Sequence, residues 1–300
     1  MNKECVAIVN GAAGAGRCGK LANEALAELK ERGWHVERLN TTAKGSATLL
    51  ARNAMKEGKR CFLSVGGDGT TYEVLNGLFP EALEDQTLRF GILPLGTGNS
   101  FLRDFGISDT KAALERFDSG KERLVDLIEL RHEHGLLFFL NIFSIRFSAQ
   151  VGALRNRYFK AFGHVGYAMA VLTKLASIPQ KTCHVWHEND EKHDKVDYMM
   201  FSVCNSQFTG GTMHMAPDAK VDDGKFNVVH VEPLSVLDLL RTFPAIYQGR
   251  HLAHTAIHGY ACKSLRFEGL GQVDVMIDGE ICRLKPLTLN TLPRALRLNV

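Results

Sequence analysis

A single aspartate, Asp68, lies among three glycines in the stretch SVGGDGTTYEVLNG, residues 64–77. Glycine tolerates a positive φ and carries no side chain, so a ligand can approach the backbone closely there. A helix predicted to begin near Thr70 would direct free N–H groups and its positive dipole end to the same place. Phosphate suits that environment, but Asp68 would repel it unless a divalent cation lies between them or the carboxylate accepts a proton. The stretch predicts phosphate chemistry with Mg²⁺, and a tight turn with Asp68 as N-cap is the structural alternative.

A second glycine turn, ILPLGTGNSFLRDFG in residues 92–106, follows another predicted strand. Two glycines flank a threonine in this turn, and Asn99 and Ser100 are placed to cap the helix that follows. Two such turns at neighbouring strand ends would form a phosphate cradle that neither turn forms alone.

Residues 14–19, GAGRCG, match the dinucleotide-binding pattern G-x-G-x-x-G, with Glu37 near the position of a ribose-binding acid. That motif starts directly after its strand, however, whereas Gly14 comes five residues after Val9. The same segment nearly matches the P-loop, but Leu21 replaces the hydroxyl residue that would hold Mg²⁺. A flexible β–α turn is the third interpretation, although it does not account for the number of glycines.

The glycine turns lie in a part of the chain that alternates between strand-like and helix-like segments. Strands are predicted in ECVAIVN, WHVERLN, RCFLSV and RFGILPL, and helices in KLANEALAELKERG, Ser46 to Gly58 and TYEVLNGLF. This alternation predicts a parallel sheet with helices on both faces. Ligands bind such sheets at the carboxyl ends of the strands, and all three glycine-rich segments follow strands.

From about Lys121 onward, short strands joined by turns predict a mainly β sandwich or barrel. Helices around Leu154 to Ser177 and from Ser235 to Tyr247 interrupt them. The strand-like segments are RLVDLIELR, GLLFFLNIFSI, KTCHVWHE, KVDYMMFSVCNSQ, KFNVVHVEP, KSLRFEG and VDVMIDGE.

The length of 300 residues suits two domains, and 45% apolar with 23% charged residues is an ordinary soluble composition. We expect an α/β domain in residues 1–122, completed by residues 291–300 if the end of the chain returns to it. A β-rich sandwich domain would occupy residues 123–290, with the functional site in the cleft between the two domains.

Seven scattered cysteines without a C-x-x-C pair argue against a disulfide framework and for a reducing compartment. The apolar run at the start of the chain is too short for a signal peptide, and no stretch approaches the ~18 apolar residues of a membrane span. A formal charge of +3 is too small to indicate nucleic acid and would suit a protein that visits an anionic membrane. These features predict a cytoplasmic protein.

The motif order then indicates a family. GGDGT followed by Glu73 and NG, and then LPLGTGN, resembles the catalytic domain of diacylglycerol kinases and of the related sphingosine and bacterial lipid kinases. The resemblance covers nearly the whole chain. It implies a peripherally membrane-associated kinase that transfers phosphate from ATP to a lipid hydroxyl with Mg²⁺. A homodimer is compatible with the sequence, which does not set the oligomeric state.

The resemblance also implies which residues hold the nucleotide. VNGAAGAG is similar to the family's first nucleotide loop, in which Gly11 and Ala13 replace a proline and a serine. The loss of the serine hydroxyl removes a contact to phosphate and predicts a lower ATP affinity. Ser100 is a second departure, at a position where the family commonly has aspartate. The implied nucleotide-binding residues are Asn10, Gly14, Gly16, Thr41, Gly66, Gly67, Asp68, Gly69, Thr70, Glu73, Gly96, Thr97, Gly98 and Asn99.

Two later motifs would supply metal and catalytic groups. APDAKVDDGKF resembles the family's D-D-G turn, which implies metal binding by Asp223 and the carbonyls of Lys220 and Lys225. MIDGE resembles the late D-G-E motif, so Asp278 and Glu280, with Asp68, would hold Mg²⁺ and accept the proton of the lipid hydroxyl. Simple turns are the alternative for both motifs. The choice of base stays open, with a preference for the D-G-E pair.

Other candidate groups have plainer interpretations. The histidines of RHEHG and CHVWHENDEKH lack metal-site spacing and suit solvated hairpins. An apolar stripe recurs at helical spacing between residues 154 and 172, and it is either core-facing or the border of a lipid groove. Basic residues lie near that stripe. The histidines are His132, His134, His184, His187 and His193; the stripe is Leu154, Tyr158, Phe162, Val165, Met169 and Leu172; the basic residues are Arg155, Arg157 and Lys160.

Two rivals to the lipid kinase remain. An NAD kinase also uses a GGDGT loop, but it would need a different glycine-rich segment in place of PLGTGN. A nucleotide- or lipid-binding protein of the same fold without turnover is the other rival, although the three convergent carboxylates argue against it. Which lipid is phosphorylated depends on the shape of the pocket, because several lipids offer a primary hydroxyl.

Overall fold

The computed structural model describes residues 3–96, 98–146, 181–187 and 193–300. The chain divides into two compact units. The N-terminal unit comprises Met1–Leu127 and Leu292–Val300, and the C-terminal unit comprises Ile128–Thr291. The helix expected around residues 154–177, with its apolar stripe and basic residues, lies outside the described residues.

The four strands predicted in the first third form the sheet of the N-terminal unit: β1 (Glu4–Val9), β2 (His35–Asn40), β3 (Cys61–Gly66) and β4 (Arg89–Pro94). They are parallel, in the order β2-β1-β3-β4. Strands β1 and β3 are buried over almost their whole length, which explains why both are continuous apolar runs. The end of the chain extends this sheet, because Leu298 pairs with Phe90 in parallel.

Four helices belong to the same unit: α1 (Cys18–Glu31), α2 (Ser46–Lys56), α3 (Asp68–Leu78) and α4 (Thr110–Ser119). The first three were predicted, and α4 was missed. Helix α4 begins after Asp109, whose carboxylate accepts the N–H of Ala112 at 2.9 Å, and it ends at Gly120 with φ 65°. Its Phe117 packs on Trp34, with ring centroids 4.7 Å apart.

The C-terminal unit is built from antiparallel strands. They are β5 (Glu122–His132), β6 (Gly135–Phe139), β7 (Ile142–Arg146), β8 (Lys181–His187), β9 (His193–Tyr198), β10 (Met200–Cys204), β11 (Phe208–Thr209), β12 (Met213–His214), β13 (Phe226–Val231), β14 (Ile257–Cys262), β15 (Ser264–Glu268), β16 (Val273–Ile277), β17 (Glu280–Leu284) and β18 (Pro286–Asn299). The long strands β5 and β18 carry the chain from one unit to the other.

One sheet of this unit has the order β14-β13-β10-β7-β16-β17. In the other, β15 lies between β18 and β8, and β8 pairs with β9. The sheets pack through aromatic rings: Phe267 lies 6.4 Å from Phe143 and 5.6 Å from Phe201, measured between ring centroids. A short helix, α5 (Val236–Thr242), follows β13 as predicted. The predicted fold class, an α/β unit followed by a mainly β sandwich, is confirmed.

Two segments predicted as single strands are each two strands. Residues 136–145 divide into β6 and β7, because the N–H groups at the break, on Leu140 and Asn141, donate to the carboxylate of Asp278 instead of a neighbouring strand. The segment 195–207 divides at Met199, where the chain leaves the sheet of β8 and enters the sheet of β13. Among the described helices, none is both long and apolar enough to cross a membrane.

Candidate active site

The glycine-rich turns of the N-terminal unit are joined to one another by backbone hydrogen bonds at the carboxyl ends of their strands. The N–H of Asn10, after β1, donates to the carbonyl of Val65 at 3.0 Å. The N–H groups of Leu95 and Gly96, after β4, donate to the carbonyl of Gly66 at 2.9 and 2.8 Å. The three turns therefore form one connected surface, as expected for neighbouring strands of a parallel sheet.

Asp68, the first residue of α3, faces the turn that follows β4. The backbone N–H of Ser100 donates to both carboxylate oxygens of Asp68, at 3.2 and 3.4 Å. A Cβ atom at residue 98 would lie 2.6 Å from Oδ2 of Asp68, and one at residue 96 would lie 2.3 Å from Cα of Gly67. Gly96 and Gly98 are thus required because two turns approach each other closely, whether or not a ligand is bound.

The surroundings of the Asp68 carboxyl shift its pKa. Burial raises its pKa to about 6, and hydrogen bonds from Ser100 and Asn99 lower the pKa only in part. Burial disfavours the charged form of a carboxyl group, and a nearby cation would favour it. Asp68 is therefore suited to face a cation or to exchange a proton near neutral pH.

The first loop contacts the other two through small residues. The Asn10 side-chain N–H donates to Oγ1 of Thr70 at 3.2 Å, and its side-chain oxygen accepts the N–H of Ala12 at 3.2 Å. Gly14, with φ 59°, lies so close to the carbonyl of Leu95 that a Cβ there would be 2.8 Å from it. Thr41 begins the loop after β2, and its N–H donates to the carbonyl of Val9 at 2.9 Å.

Glu73 has a structural contact that the sequence did not indicate. Its carboxylate accepts the N–H groups of Gly45 and Ala47, at 2.8 and 3.2 Å, and so satisfies the N-terminus of α2. The Thr48 hydroxyl donates to the Glu73 carbonyl at 2.8 Å. Glu73 therefore joins α2 to α3, and its predicted contact with the nucleotide remains a prediction.

Asn99 and Ser100 do not cap the following helical turn, Phe101–Phe105, with their side chains, contrary to expectation. Asn99 instead has φ 49°, and its amide donates to the carbonyls of Pro94 and Gly96 at 3.1 and 2.9 Å. Asparagine is one of the few residues that tolerate this backbone conformation, and here it closes the loop on itself. Thr97, at the tip of the same loop, lies outside the described residues.

In the C-terminal unit, Asp278 is buried and serves as a backbone acceptor. It accepts the N–H of Leu140 at 3.0 Å through Oδ2, and those of Asn141 and Ile142 at 3.0 and 2.9 Å through Oδ1. Asn205 supports the same turn by donating to the Leu140 carbonyl at 2.8 Å. We call this arrangement of Asp278 with residues 140–142 the Asp278 clasp.

The D-G-E motif has the geometry of a two-residue hairpin between β16 and β17. Ile277 pairs with Glu280, and the turn residues Asp278 and Gly279 have φ values of 47° and 88°. Positive φ at both turn residues is the type I′ pattern, for which Asp-Gly is favoured. Glu280 is the first residue after this turn and is partly exposed. The hairpin interpretation of this motif is therefore correct for the backbone, and the catalytic roles of its carboxylates remain predictions.

The D-D-G segment also forms a turn. Oδ1 of Asp223 accepts the N–H of Lys225 at 3.0 Å, and Gly224 has φ 76°. Asp223, Lys220 and Lys225 are all exposed. This geometry matches the turn alternative, and metal binding by Asp223 with the two lysine carbonyls remains a prediction.

Sequence reasoning missed several residues that shape these elements. Residues 140–142 and Asn205 carried no motif, although the asparagine within LLFFLNIFSI interrupts an apolar run and was a signal of a break. Ser206 adds to the same network, since its hydroxyl donates to Oδ1 of Asn141 at 2.6 Å. The contact of the Ser100 N–H with Asp68 was also missed. Contacts between residues so distant along the chain cannot be read from spacing.

Comparison with known proteins identifies the family. Residues 4–130 match the model of the diacylglycerol kinase catalytic domain, and residues 142–300 match the model of the YegS C-terminal NAD kinase beta sandwich-like domain. The chain belongs to the diacylglycerol kinase family. The family predicted from the motif order is thereby confirmed, as is the enzyme class of lipid kinase.

Relatives of this diacylglycerol kinase family member match it over most of their length. A diacylglycerol kinase from Mycobacterium tuberculosis is 26% identical over 97% of this chain and 93% of the relative. A diacylglycerol kinase from Staphylococcus aureus is 27% identical over 93% of this chain and 87% of the relative. A solved structure of a candidate diacylglycerol kinase from Bacillus anthracis superposes with a TM-score of 0.78 at 21% identity, covering 99% of this chain and 95% of that one, which shows the shared fold.

Proposed function

We propose that this lipid kinase transfers the γ-phosphate of ATP to the primary hydroxyl of diacylglycerol or a related glycerolipid at a membrane surface. The observation that carries the proposal is Asp68, a carboxyl with a pKa raised to about 6, held against the glycine turns at the ends of β3 and β4. The named relatives from two genera are diacylglycerol kinases, which favours a glycerolipid as the acceptor.

The glycine turns would bind the phosphates of ATP. Backbone N–H groups at the start of α3, together with the positive end of its dipole, favour negative charge beside Asp68. Close packing of the turns at Gly14, Gly96 and Gly98 holds their backbones in place before a ligand arrives. Phosphoryl transfer depends mainly on such positioning and on neutralisation of charge.

Asp68 fits a role in binding Mg²⁺. Its carboxylate is a hard oxygen donor, and Mg²⁺ in kinases is bound through one or two carboxylates and the phosphates of the substrate. When bound, the ion would neutralise phosphate charge. The Ser100 N–H orients the carboxylate by contacting both of its oxygens. Cytoplasmic location and peripheral membrane association are parts of the same proposal, the second because the acceptor is a lipid.

We assign the general base to Glu280 and a positioning role to Asp278. Both oxygens of Asp278 already accept backbone N–H groups, so this carboxylate is committed to the clasp. Glu280 follows the type I′ turn and is partly exposed, so it is the motif carboxylate that a substrate can reach from solvent in this proposal. A general base typically contributes about 10²–10⁴-fold to the rate.

The test is transfer of radiolabelled phosphate from ATP, with Mg²⁺, into a panel of lipids in mixed micelles. Wild-type protein should label diacylglycerol or a close glycerolipid, and Asp68→Asn and Glu280→Gln should each lose the product. Asp274→Asn is the matched control, because Asp274 is exposed on β16 of the same hairpin. Labelling of NAD in a parallel reaction, with no labelled lipid, would favour an NAD kinase, and ATP binding without any product would favour a binding protein.

A further inference from the structure

A compact group of ligand atoms lies on the strand pair β13–β14, outside every motif of the kinase family. His230, Glu232 and His258 each offer one ligand atom, and these atoms all lie within 4.8 Å of one another. Within residues 3–96, 98–146, 181–187 and 193–300, no other three His, Cys, Asp or Glu side chains form such a group.

The strand register brings these residues together. His230 of β13 is directly opposite His258 of β14 in the antiparallel pair. Side chains alternate along a strand, so Glu232 emerges on the same face as His230, two residues on. The N–H of Glu232 donates to the carbonyl of Ala256 at 2.9 Å, which continues the ladder and makes Glu232 the diagonal neighbour of His258.

Ring stacking limits the freedom of the two imidazoles. The rings of His230 and His258 are stacked with centroids 4.5 Å apart and an angle of 23° between their planes. On its other side His230 is stacked on Phe201 of β10, at 6.3 Å and 10°. His258 is further oriented by Glu232, whose Oε1 lies 2.9 Å from its Nε2. The three side chains are thus held close together before any ligand arrives.

We propose that His230, Glu232 and His258 bind a divalent transition metal ion of the zinc type, with water completing its coordination. Two imidazoles and one carboxylate are ligands that Zn²⁺ accepts readily, whereas Mg²⁺ prefers oxygen ligands alone. This site is therefore chemically distinct from the Mg²⁺ site proposed for phosphate transfer.

Rotation of the exposed side chains would complete the site. An imidazole binds a metal ion in the plane of its ring, so His258 would turn out of its stack on His230. Ligand atoms within 4.8 Å would then close to the roughly 3.3 Å expected around a tetrahedral ion with bonds of about 2.0–2.1 Å. The side chains of Glu232 and His258 are 49% and 41% exposed, so they can rotate and an ion can enter from solvent. Strand β14 is the edge of its sheet, and the metal would fasten it to β13.

The test is titration of the metal-free full-length chain with Zn²⁺ by isothermal calorimetry, with melting temperature as a second readout. Wild-type protein should bind one equivalent and melt at a higher temperature with Zn²⁺, because an ion that binds only the folded chain stabilises it. Loss of a residue that only supports a metal ligand typically weakens metal binding about 10–100-fold. His258→Ala removes a ligand itself, so it should weaken binding by at least that much. Glu232→Gln should weaken binding without disturbing the packed His230 ring, and excess Mg²⁺ should not compete.

The turn between β5 and β6 provides a matched control. His132 and His134 flank Glu133 there, each with a ring nitrogen 3.8 Å from its carboxylate, so the residue types are the same. The double variant His132→Ala/His134→Ala should still bind one equivalent of Zn²⁺. The proposal is overturned if wild-type protein takes up no stoichiometric Zn²⁺, if Glu232→Gln and His258→Ala bind as wild type does, or if the control variant loses the equivalent. Melting in EDTA checks that each variant is folded.

Discussion

Replacing Asp278 with alanine should destabilise the C-terminal unit, because the clasp satisfies three backbone N–H groups at 2.9–3.0 Å. Hydrogen bonds to a charged group contribute roughly 1.5–3 kcal/mol each, so three amount to about 4.5–9 kcal/mol. The net loss should be smaller, about 4 kcal/mol, because water can enter and bond to the freed N–H groups and because alanine no longer buries a charge. Asp278→Asn should cost about 1–3 kcal/mol, because its amide keeps one oxygen acceptor but turns a second donor towards the Leu140 N–H.

The chain offers a reporter for this unit alone. It has two tryptophans, and Trp186 lies on β8 of the C-terminal unit, whereas Trp34 belongs to the N-terminal unit. In a Trp34→Phe background, urea unfolding followed by Trp186 fluorescence therefore reports the free energy of unfolding of the C-terminal unit. Asp274→Asn, on the same hairpin but exposed, should change that free energy by less than about 0.5 kcal/mol.

The clasp also makes a prediction about activity. Asp278→Asn protein that is folded should keep most of its phosphate transfer, since Asp278 acts by positioning the turn before Glu280. If Asp278→Ala instead unfolds within about 1 kcal/mol of wild type and still loses all transfer, the clasp is refuted and Asp278 is a catalytic carboxylate.

Three further substitutions test the N-terminal unit. Gly98→Ala should cost about 1–3 kcal/mol and most of the activity, because its Cβ would lie 2.6 Å from Oδ2 of Asp68, and urea unfolding with a transfer assay measures both. Glu73→Gln should cost about 1–2 kcal/mol, since it weakens a charged contact with the N-terminus of α2, and thermal unfolding measures the loss. The Asp118 carboxylate accepts hydrogen bonds from the indole N–H of Trp34, from Lys3 and from Arg32. These bonds hold the pKa of Asp118 below its usual value of 3.8. Wild type should therefore lose stability as the pH falls below about 4, and Asp118→Asn should lack that part of the pH dependence in acid titrations.

For each of these three predictions, one result would contradict the reasoning. Gly271→Ala should leave stability and activity unchanged, because a Cβ there meets nothing within 4 Å. If Gly271→Ala and Gly98→Ala lose stability equally, close approach to Asp68 does not explain the loss. If Glu73→Gln protein melts at the same temperature as wild type, the contact of Glu73 with the N-terminus of α2 contributes little to stability. The stability conferred by Asp118 is present above its unfolded pKa and lost below, so parallel acid titrations of variant and wild type would contradict its role.

The predictable part of the fold was the part governed by local pattern. Strands β1, β3 and β4 are apolar runs and β2 alternates between apolar and polar residues, and glycines after β1, β3 and β4 mark the carboxyl edge of a parallel sheet. Helix α4 was predictable as well, since Asp109 caps it and Gly120 ends it, although its modest apolar pattern concealed it. The break at Met199 was not predictable, because its N–H donates to a carbonyl far along the chain. The break at residues 140–141 had one local signal, Asn141 within an apolar run, but its partner Asp278 is equally distant.

The same distinction applies to the site. Glycines and Asp68 signal phosphate chemistry through their types and spacing alone. The commitment of Glu73 to α2 and of Asp278 to residues 140–142 depends on tertiary contacts, so both resembled free carboxylates in the sequence. The group of His230, Glu232 and His258 was invisible for a similar reason, since only the register of β13 and β14 places His258 opposite His230.

The role of Asp68 in phosphate transfer is tested by the rate of transfer from ATP to diacylglycerol by wild type and Asp68→Asn, measured at saturating Mg²⁺ in mixed micelles. Wild type should produce phosphorylated diacylglycerol, and a folded Asp68→Asn protein should do so at a rate at least about 100-fold lower, as expected when a group that positions charge at the reacting phosphate is removed. An unchanged rate in the variant, or no lipid product from wild type, would contradict this role.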